Sequence, residues 1–179
     1  MSAPAASSSS YGPPKPAAGA GPAPSAPGQV QKRLQQELMA LMMSGSKDVT
    51  AFPDGDNMFE WVGTIAGTDG TAYAGLSFKL RLKFPADYPY SAPTITFVTP
   101  IFHPNVDQAG NICLDILKEK WTAAYSVQTV LMSLQTLLGD PNNASPLNGQ
   151  AAALWASTAE YRRTVLKRYR EATGSAPEA

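Results

Sequence analysis

The chain contains one histidine and one cysteine, and both lie in the same irregular stretch of sequence. His103 comes ten residues before Cys113, and the amide side chain of Asn105 stands between them. A thiolate is a nucleophile, an imidazole can take up a proton, and an amide can donate hydrogen bonds to an oxyanion. These residue types therefore permit nucleophilic chemistry at Cys113, with His103 as a candidate general base.

The local pattern alone favours a structural interpretation of Cys113. A lone cysteine in an apolar run such as Ile112-Cys113-Leu114 is more often a small buried hydrophobe than a nucleophile. Its place in a loop of more than about 20 residues favours chemistry, since loops of that length inside a domain are usually functional. Two hypotheses stay open from these residues: a cysteine acyl hydrolase that uses Cys113 and His103, and a non-catalytic binding module.

Regular elements are predicted on both sides of this loop. Apolar residues at helical spacing, among them Leu34, Leu38, Leu41 and Met42, predict an amphipathic helix over residues 30–44. Strands are predicted over residues 49–52, 59–65, 76–84 and 94–98, and further helices over 126–138, 150–155 and 158–170. One helix, an antiparallel four-stranded meander and then C-terminal helices indicate an α+β domain.

Composition excludes several classes of protein. The 179 residues carry 14 basic and 14 acidic side chains, which argues against broad binding of nucleic acid or of an anionic membrane. One cysteine cannot form an internal disulfide, and with a single histidine it leaves too few ligands for a zinc site. No membrane-spanning or secretory segment is predicted, and an unpaired thiol favours the cytoplasm or nucleus.

The sequence divides into a predicted folded core and two predicted tails. Residues 1–28 are almost entirely Ala, Pro, Ser and Gly, a composition that predicts a disordered tail. The folded core is predicted over residues 29–172, and residues 173–179 are predicted to form a short flexible C-terminal tail.

Four motifs in this order and spacing resemble the ubiquitin-conjugating enzymes over roughly residues 30–169. They are Tyr88-Pro89-Tyr90-Ser91-Ala92-Pro93, His103-Pro104-Asn105, Gly110-Asn111-Ile112-Cys113-Leu114-Asp115-Ile116-Leu117 and Trp121. Further stretches at residues 33–38, 51–53, 118–121 and 145–148 are most similar to the branch of the family that serves the anaphase-promoting complex, or cyclosome.

The resemblance implies a thioester carrier. In that family the matching cysteine, Cys113 here, accepts the C-terminus of ubiquitin from an activating enzyme and passes it to a substrate lysine with the help of a ligase. No metal or bound cofactor is implied, because ATP is used upstream by the activating enzyme. The RING-type ligase implied is the anaphase-promoting complex, which places the protein in mitotic protein degradation, in the cytoplasm and nucleus.

The resemblance also implies roles for particular residues around Cys113. Asn105 is a candidate catalytic residue that stabilises an oxyanion, with a loop-fastening role left open. Ser145 stands where many relatives have an aspartate, and a serine cannot act as a charged base at neutral pH. The residues implied to support the loop are His103, Pro104, Leu114 and Asp115, and His103 is expected to brace it rather than act as a base.

Surfaces for partners follow from the same resemblance. Met132 is implied to contact the carried ubiquitin, and Lys32 and Arg33 to contact the activating enzyme. The ligase is expected to contact Pro89, Tyr90, Ala123 and Ala124. The basic residues near the C-terminus are interpreted as a charged outer helix face rather than a nucleic-acid site; they are Arg162, Arg163, Lys167, Arg168 and Arg170.

Overall fold

The computed structural model of the protein describes residues 26–175. Within this range one helix precedes four strands, and three helices follow them, as the α+β prediction requires. The elements are α1 (Pro27–Ser44), β1 (Val49–Asp54), β2 (Asn57–Ala66), β3 (Ser77–Lys83), β4 (Thr94–Phe97), α2 (Val127–Gly139), α3 (Gly149–Leu154) and α4 (Thr158–Thr173), with a single 3-10 turn at Asp115–Leu117. The predicted tails fall mostly on residues 1–25 and 176–179, which lie outside the described range.

Helix α1 begins at Pro27, so residues 27 and 28 lie in this helix rather than in the predicted disordered tail. Proline suits this position because the first turn of a helix needs no backbone N–H donors. The helix ends at Gly45, whose φ of +63° is the left-handed conformation that glycine adopts without strain. Its buried stripe runs through Val30, Leu34 and Leu41.

Met42, which the apolar pattern placed on the buried face, is 61% exposed, so that part of the prediction is wrong. The buried stripe follows a spacing of four, three and four residues, and this spacing leads from Leu34 through position 37 to Leu41. Position 37 holds a glutamate rather than an apolar residue. The apolar pattern instead runs through Leu38, and a further step of four residues from Leu38 leads to Met42. The buried stripe runs through Glu37 and ends at Leu41.

The four strands form one antiparallel sheet in the order β1-β2-β3-β4. Gly63 of β2 pairs with Leu80 of β3, and Leu82 of β3 pairs with Ile95 of β4. In β3 the apolar side chains point to the core while Lys79 and its polar neighbours are exposed, as the strict alternation predicted. The sheet therefore has one buried and one solvent-facing surface.

Helix α2 covers the buried surface of the sheet, and the predicted stripe on this helix is confirmed. Its buried residues are Val127, Val130, Leu131, Leu134, Leu137 and Leu138. Met132 projects from the other side and is 53% exposed, as expected. Helix α4 adds Tyr161 and Val165 to the core. None of the described helices has both the length and the hydrophobicity needed to cross a membrane.

Candidate functional site

The loop that carries Cys113 is built onto the free edge of strand β4. The backbone N–H of Phe97 donates to the carbonyl of Gly110 (2.9 Å), and an antiparallel contact joins Thr96 to Asn111. Gly110 has a φ of +85°, and a Cβ atom there would lie 2.2 Å from the carbonyl oxygen of Phe97. Only glycine fits at this close approach of the loop to β4, and the approach sets the direction of the chain three residues before Cys113.

A carboxylate closes the turn that precedes the cysteine. One oxygen of Asp107 accepts from the backbone N–H groups of Ala109 and Asn111 (2.9 Å each), and its other oxygen accepts from the side-chain amide of Asn111 (2.9 Å). The hydrogen bonds from Asn111 lower the pKa of Asp107, so the carboxylate stays ionised. Asp107 is thus a structural residue of the loop.

Cys113 itself is an unpaired thiol with a partly exposed side chain. Its backbone N–H donates to the carbonyl of Asn105 (2.9 Å), and a contact between Val106 and Ile112 runs alongside. These bonds bring the His103-Pro104-Asn105 motif next to the cysteine. The partial exposure distinguishes Cys113 from its neighbour Ile112, which is buried.

Asn105 is completely buried, and its amide is paired with a backbone segment 37 residues further along the chain. Its Nδ2 donates to the carbonyl of Asn142 (2.7 Å), while its Oδ1 accepts from the N–H of the same residue (2.8 Å). This pair of hydrogen bonds fastens the cysteine loop to the segment after α2. The geometry thus supports the loop-fastening interpretation of Asn105.

Ser145 lies in that same segment, and its side chain is exposed. The N–H groups of Leu147 and Asn148 both donate to the carbonyl of Pro104 (2.8 and 3.0 Å). The three candidate catalytic residues Cys113, Asn105 and Ser145 are therefore held in one neighbourhood by backbone bonds. Position 145 holds a serine, so it brings no carboxylate to the site.

His103 is buried, and both nitrogens of its ring are engaged by backbone groups. Nδ1 accepts from the N–H of Asn105 (3.0 Å), which leaves the proton on Nε2, and Nε2 donates to the carbonyl of Leu137 (2.7 Å). The ring also lies 5.9 Å from the ring centroid of Tyr73. A ring committed in this way braces the loop, as expected, and the hydrolase hypothesis with a Cys113–His103 pair is not favoured.

The burial of His103 predicts an acid-sensitive fold. Desolvation lowers the pKa of His103 from 6.5 to about 4. The unfolded chain therefore binds a proton that the folded chain excludes between these values, and the free energy of unfolding should fall by about 3 kcal/mol from pH 7 to pH 4 through this group. Denaturant titrations across that range measure the loss. In His103→Gln, whose amide does not titrate, the slope should be shallower; equal slopes would contradict the assignment.

The remaining loop residues make local contacts. Pro104 is buried, and Leu114 packs against the core with partial exposure. Asp115 forms an exposed ion pair with Lys120 (2.6 Å), and this contact lowers the pKa of Asp115 and raises that of Lys120. Among the described residues, no three His, Cys, Asp or Glu side chains are close enough together to hold a metal ion.

The two segments predicted to meet a ligase lie side by side. The indole N–H of Trp121 donates to the carbonyl of Pro89 (2.9 Å) and so joins one segment to the other. Tyr90 is 52% exposed, and Ala124 is also exposed, while Pro89 and Ala123 are partly covered. Tyr90 is thus the large side chain that this surface offers to a partner.

Lys32 and Arg33 differ sharply in their surroundings. Lys32 is exposed on α1, as a contact for another protein requires. Arg33 is partly buried, and its guanidinium donates to the carbonyls of Ala123 (3.2 Å) and Tyr125 (3.0 Å) and to the carboxylate of Glu37 (2.6 Å). Arg33 is therefore not a solvated residue of the helix face, and Glu37, which sequence reasoning missed, is its partner.

Two of the five basic residues on α4 serve the fold. Arg162 donates to the carbonyls of Thr71 and Ala72, and Arg168 lies over the ring of Phe102 and donates to Gln150. Lys167 is 4.0 Å from Glu171 on its own helix. These contacts agree with a charged outer face rather than with one continuous basic surface.

Comparison with known proteins identifies relatives of this chain. The family model described as "Ubiquitin-conjugating enzyme" matches residues 33–169, which is most of the chain. The "Ubiquitin-conjugating enzyme E2-20 kDa" of Schizosaccharomyces pombe is 60% identical over 144 residues, which make up 79% of this chain and 82% of that protein. The family model covers the whole loop from His103 to Trp121 and every strand of the sheet.

Proposed function

The chain belongs to the ubiquitin-conjugating enzyme family, and on that premise we propose that Cys113 is the residue that carries ubiquitin and that the anaphase-promoting complex is the ligase it serves. The protein is a ubiquitin transferase whose partners are ubiquitin, an activating enzyme and a ligase. The observation that carries the assignment to Cys113 is its unpaired, partly exposed thiol in a loop fixed on both sides.

The proposed reaction is two successive acyl transfers. The thiolate of Cys113 attacks the C-terminal carbonyl of ubiquitin on the activating enzyme, whose own thiolate leaves. The ε-amine of a substrate lysine then attacks the new thioester, the tetrahedral oxyanion collapses, and Cys113 leaves as a thiolate. The chain needs no cofactor for either step, because the acyl group arrives activated by ATP consumed upstream.

The proton of the attacking lysine needs an acceptor, and the site offers few. His103 has both ring nitrogens committed to backbone groups. Ser145 cannot be a charged base, and Asp115 is paired with Lys120. We assign the loss of this proton to solvent or to a group on the ligase or substrate, which makes transfer dependent on how a partner presents the lysine.

The proposal extends to partner surfaces and to location. The exposed Met132 of α2 is assigned to the carried ubiquitin, and the exposed Lys32 to the activating enzyme. Residues 29–172 are assigned as the catalytic core together with residues 27, 28 and 173, which belong to α1 and α4, and the residues outside this range are assigned as tails. If the anaphase-promoting complex is its ligase, the protein acts in the degradation of proteins during mitosis, in the cytoplasm and nucleus.

A ligase comparison tests the branch assignment. We expect the anaphase-promoting complex to accelerate discharge of the ubiquitin-charged protein onto its substrates, and Tyr90→Ala to weaken this by ~30-fold, about 2 kcal/mol, as for an aromatic anchor at an interface. Val98→Ala is the matched control, since Val98 is equally exposed at 52% but lies outside the two ligase segments. Acceleration by other RING ligases and not by the anaphase-promoting complex would refute the branch while leaving the enzyme class intact.

A further inference from the structure

Glu37 is a buried carboxylate for which the proposed reaction has no use. It is only 6% exposed, in the middle of α1. Its Oε1 accepts from Nε of Arg33 (2.6 Å) and from the hydroxyl of Tyr88 (2.6 Å), and its Oε2 accepts from the N–H of Val127 (2.6 Å). A buried charge persists only when it is paired and hydrogen-bonded, and here one bond comes from α1 itself, one from the segment at Tyr88 and one from the start of α2.

Two of the partners of Glu37, Tyr88 and Val127, lie next to the segments assigned to the ligase. Tyr88 directly precedes Pro89 and Tyr90, and it is completely buried. Val127 is the first residue of α2, where a carboxylate also interacts favourably with the helix dipole. The residues just before α2 form the second ligase segment. One carboxylate therefore connects the two segments through the body of the protein.

Arg33 completes the connection from the same helix. Its Nη2 donates to the carbonyls of Ala123 and Tyr125, and the centre of its guanidinium lies 5.9 Å from the centroid of the Tyr88 ring. A planar guanidinium can hold several acceptors in fixed directions, which a lysine cannot do. The Arg33–Glu37 pair thus touches the backbone of one ligase segment and the side chain at the start of the other.

We infer that Arg33 and Glu37 are positioning residues that set the spacing of the segments 88–90 and 123–125 for ligase binding. The inference rests on the ligase contacts proposed above, and it reassigns Arg33 from the activating-enzyme surface to the support of the ligase surface. Tyr90 and Ala124 reach the partner, while Arg33 and Glu37 act through them. Burial and the carboxylate of Glu37 raise the pKa of Tyr88, so its hydroxyl remains a donor at neutral pH.

The experiment separates ligase binding from the other reactions of the enzyme. Arg33→Met, Glu37→Gln and Tyr88→Phe are compared with wild type and with Gln35→Met, a control on the exposed side of α1. Three rates are measured for each folded variant: charging by the activating enzyme, discharge to free lysine without ligase, and discharge over a ligase titration. Tyr88→Phe removes one hydroxyl and keeps the ring, so it serves if Glu37→Gln does not fold.

We expect the half-saturating ligase concentration to rise about tenfold in Arg33→Met, and by a smaller factor in Tyr88→Phe, because a partner surface misplaced by a fraction of an ångström loses contacts. Charging, ligase-free discharge and the maximal rate at saturating ligase should stay near wild type. A uniform fall in all three rates would overturn the inference in favour of a general folding role. Slower charging with an unchanged ligase titration would return Arg33 to the activating-enzyme surface.

The titration is run in parallel with the anaphase-promoting complex and with an isolated RING domain of another ligase. If the RING domain alone stimulates the wild type, the branch assignment fails, and the positioning role is judged on the RING titration. If a ligase stimulates the wild type, and Arg33→Met and Tyr88→Phe have the same half-saturating ligase concentration as the wild type, the positioning role is overturned and the proposed ligase contacts are not. If neither ligase stimulates the wild type, both proposals are overturned.

Discussion

Replacing Cys113 by alanine should abolish the ubiquitin adduct formed with the activating enzyme and ATP, and replacing it by serine should leave an adduct that survives thiol reductant. Alanine has no nucleophile, whereas the serine hydroxyl can form an ester in place of the thioester. The readout is a gel of the charging mixture with and without reductant. This is the largest effect that the proposed mechanism predicts for a single side chain.

The Cys113 variants carry little structural risk, so loss of the adduct can be read as loss of chemistry. The side chain is partly exposed, and only its backbone N–H takes part in fastening the loop. Both variants should therefore unfold at denaturant concentrations close to that of wild type. A folded Cys113→Ala protein that still forms a reductant-sensitive adduct would contradict the assignment, since Cys113 is the only cysteine in the chain.

Removing the side chain of Asn105 should lower both the stability of the protein and the rate of ubiquitin transfer. Asn105→Ala deletes two hydrogen bonds to the backbone of Asn142 from a completely buried position. We expect a loss of about 2 kcal/mol in the free energy of unfolding, and a fall in discharge of up to ~100-fold as the loop loses its geometry. Denaturant unfolding and single-turnover discharge measure the two effects.

The combination of effects distinguishes the two roles considered for Asn105. Fastening of the loop predicts that stability and rate fall together, whereas an oxyanion donor predicts a slower rate at unchanged stability. Asn143→Ala is the matched control, because Asn143 is an exposed asparagine next to the fastened residue. A large rate defect in Asn105→Ala with wild-type unfolding would contradict the fastening role that the geometry supports.

The regular elements could be predicted because their signals are local. In β3 the alternation of Phe78, Leu80 and Leu82 predicts which side of the strand faces the core, and in α2 the apolar stripe predicts the same for the helix. The bracing role expected for His103 is supported by the hydrogen bonds of its two ring nitrogens. Element ends were less accurate, as at Pro27, because one additional turn of helix costs little free energy at an exposed end.

The contacts that shape the candidate site could not be predicted, because they join residues far apart in the chain. Asn105 pairs with Asn142, and Arg33 with Ala123, across 37 and 90 positions of sequence. Glu37 was missed for another reason. Helical periodicity assigns charged residues to solvent. Arg33 lies one turn away on the same helix, but only the tertiary structure brings the other two donors, from Tyr88 and Val127, to the buried carboxylate.

Charging of the wild-type protein tests the central claim most directly. The purified chain is mixed with ubiquitin, ATP and a ubiquitin-activating enzyme, and the products are separated with and without thiol reductant. The proposed mechanism predicts a band heavier by one ubiquitin that disappears on reduction. Folded protein that gives no such band, or only a band resistant to reductant, would contradict the claim that this chain carries ubiquitin as a thioester on Cys113.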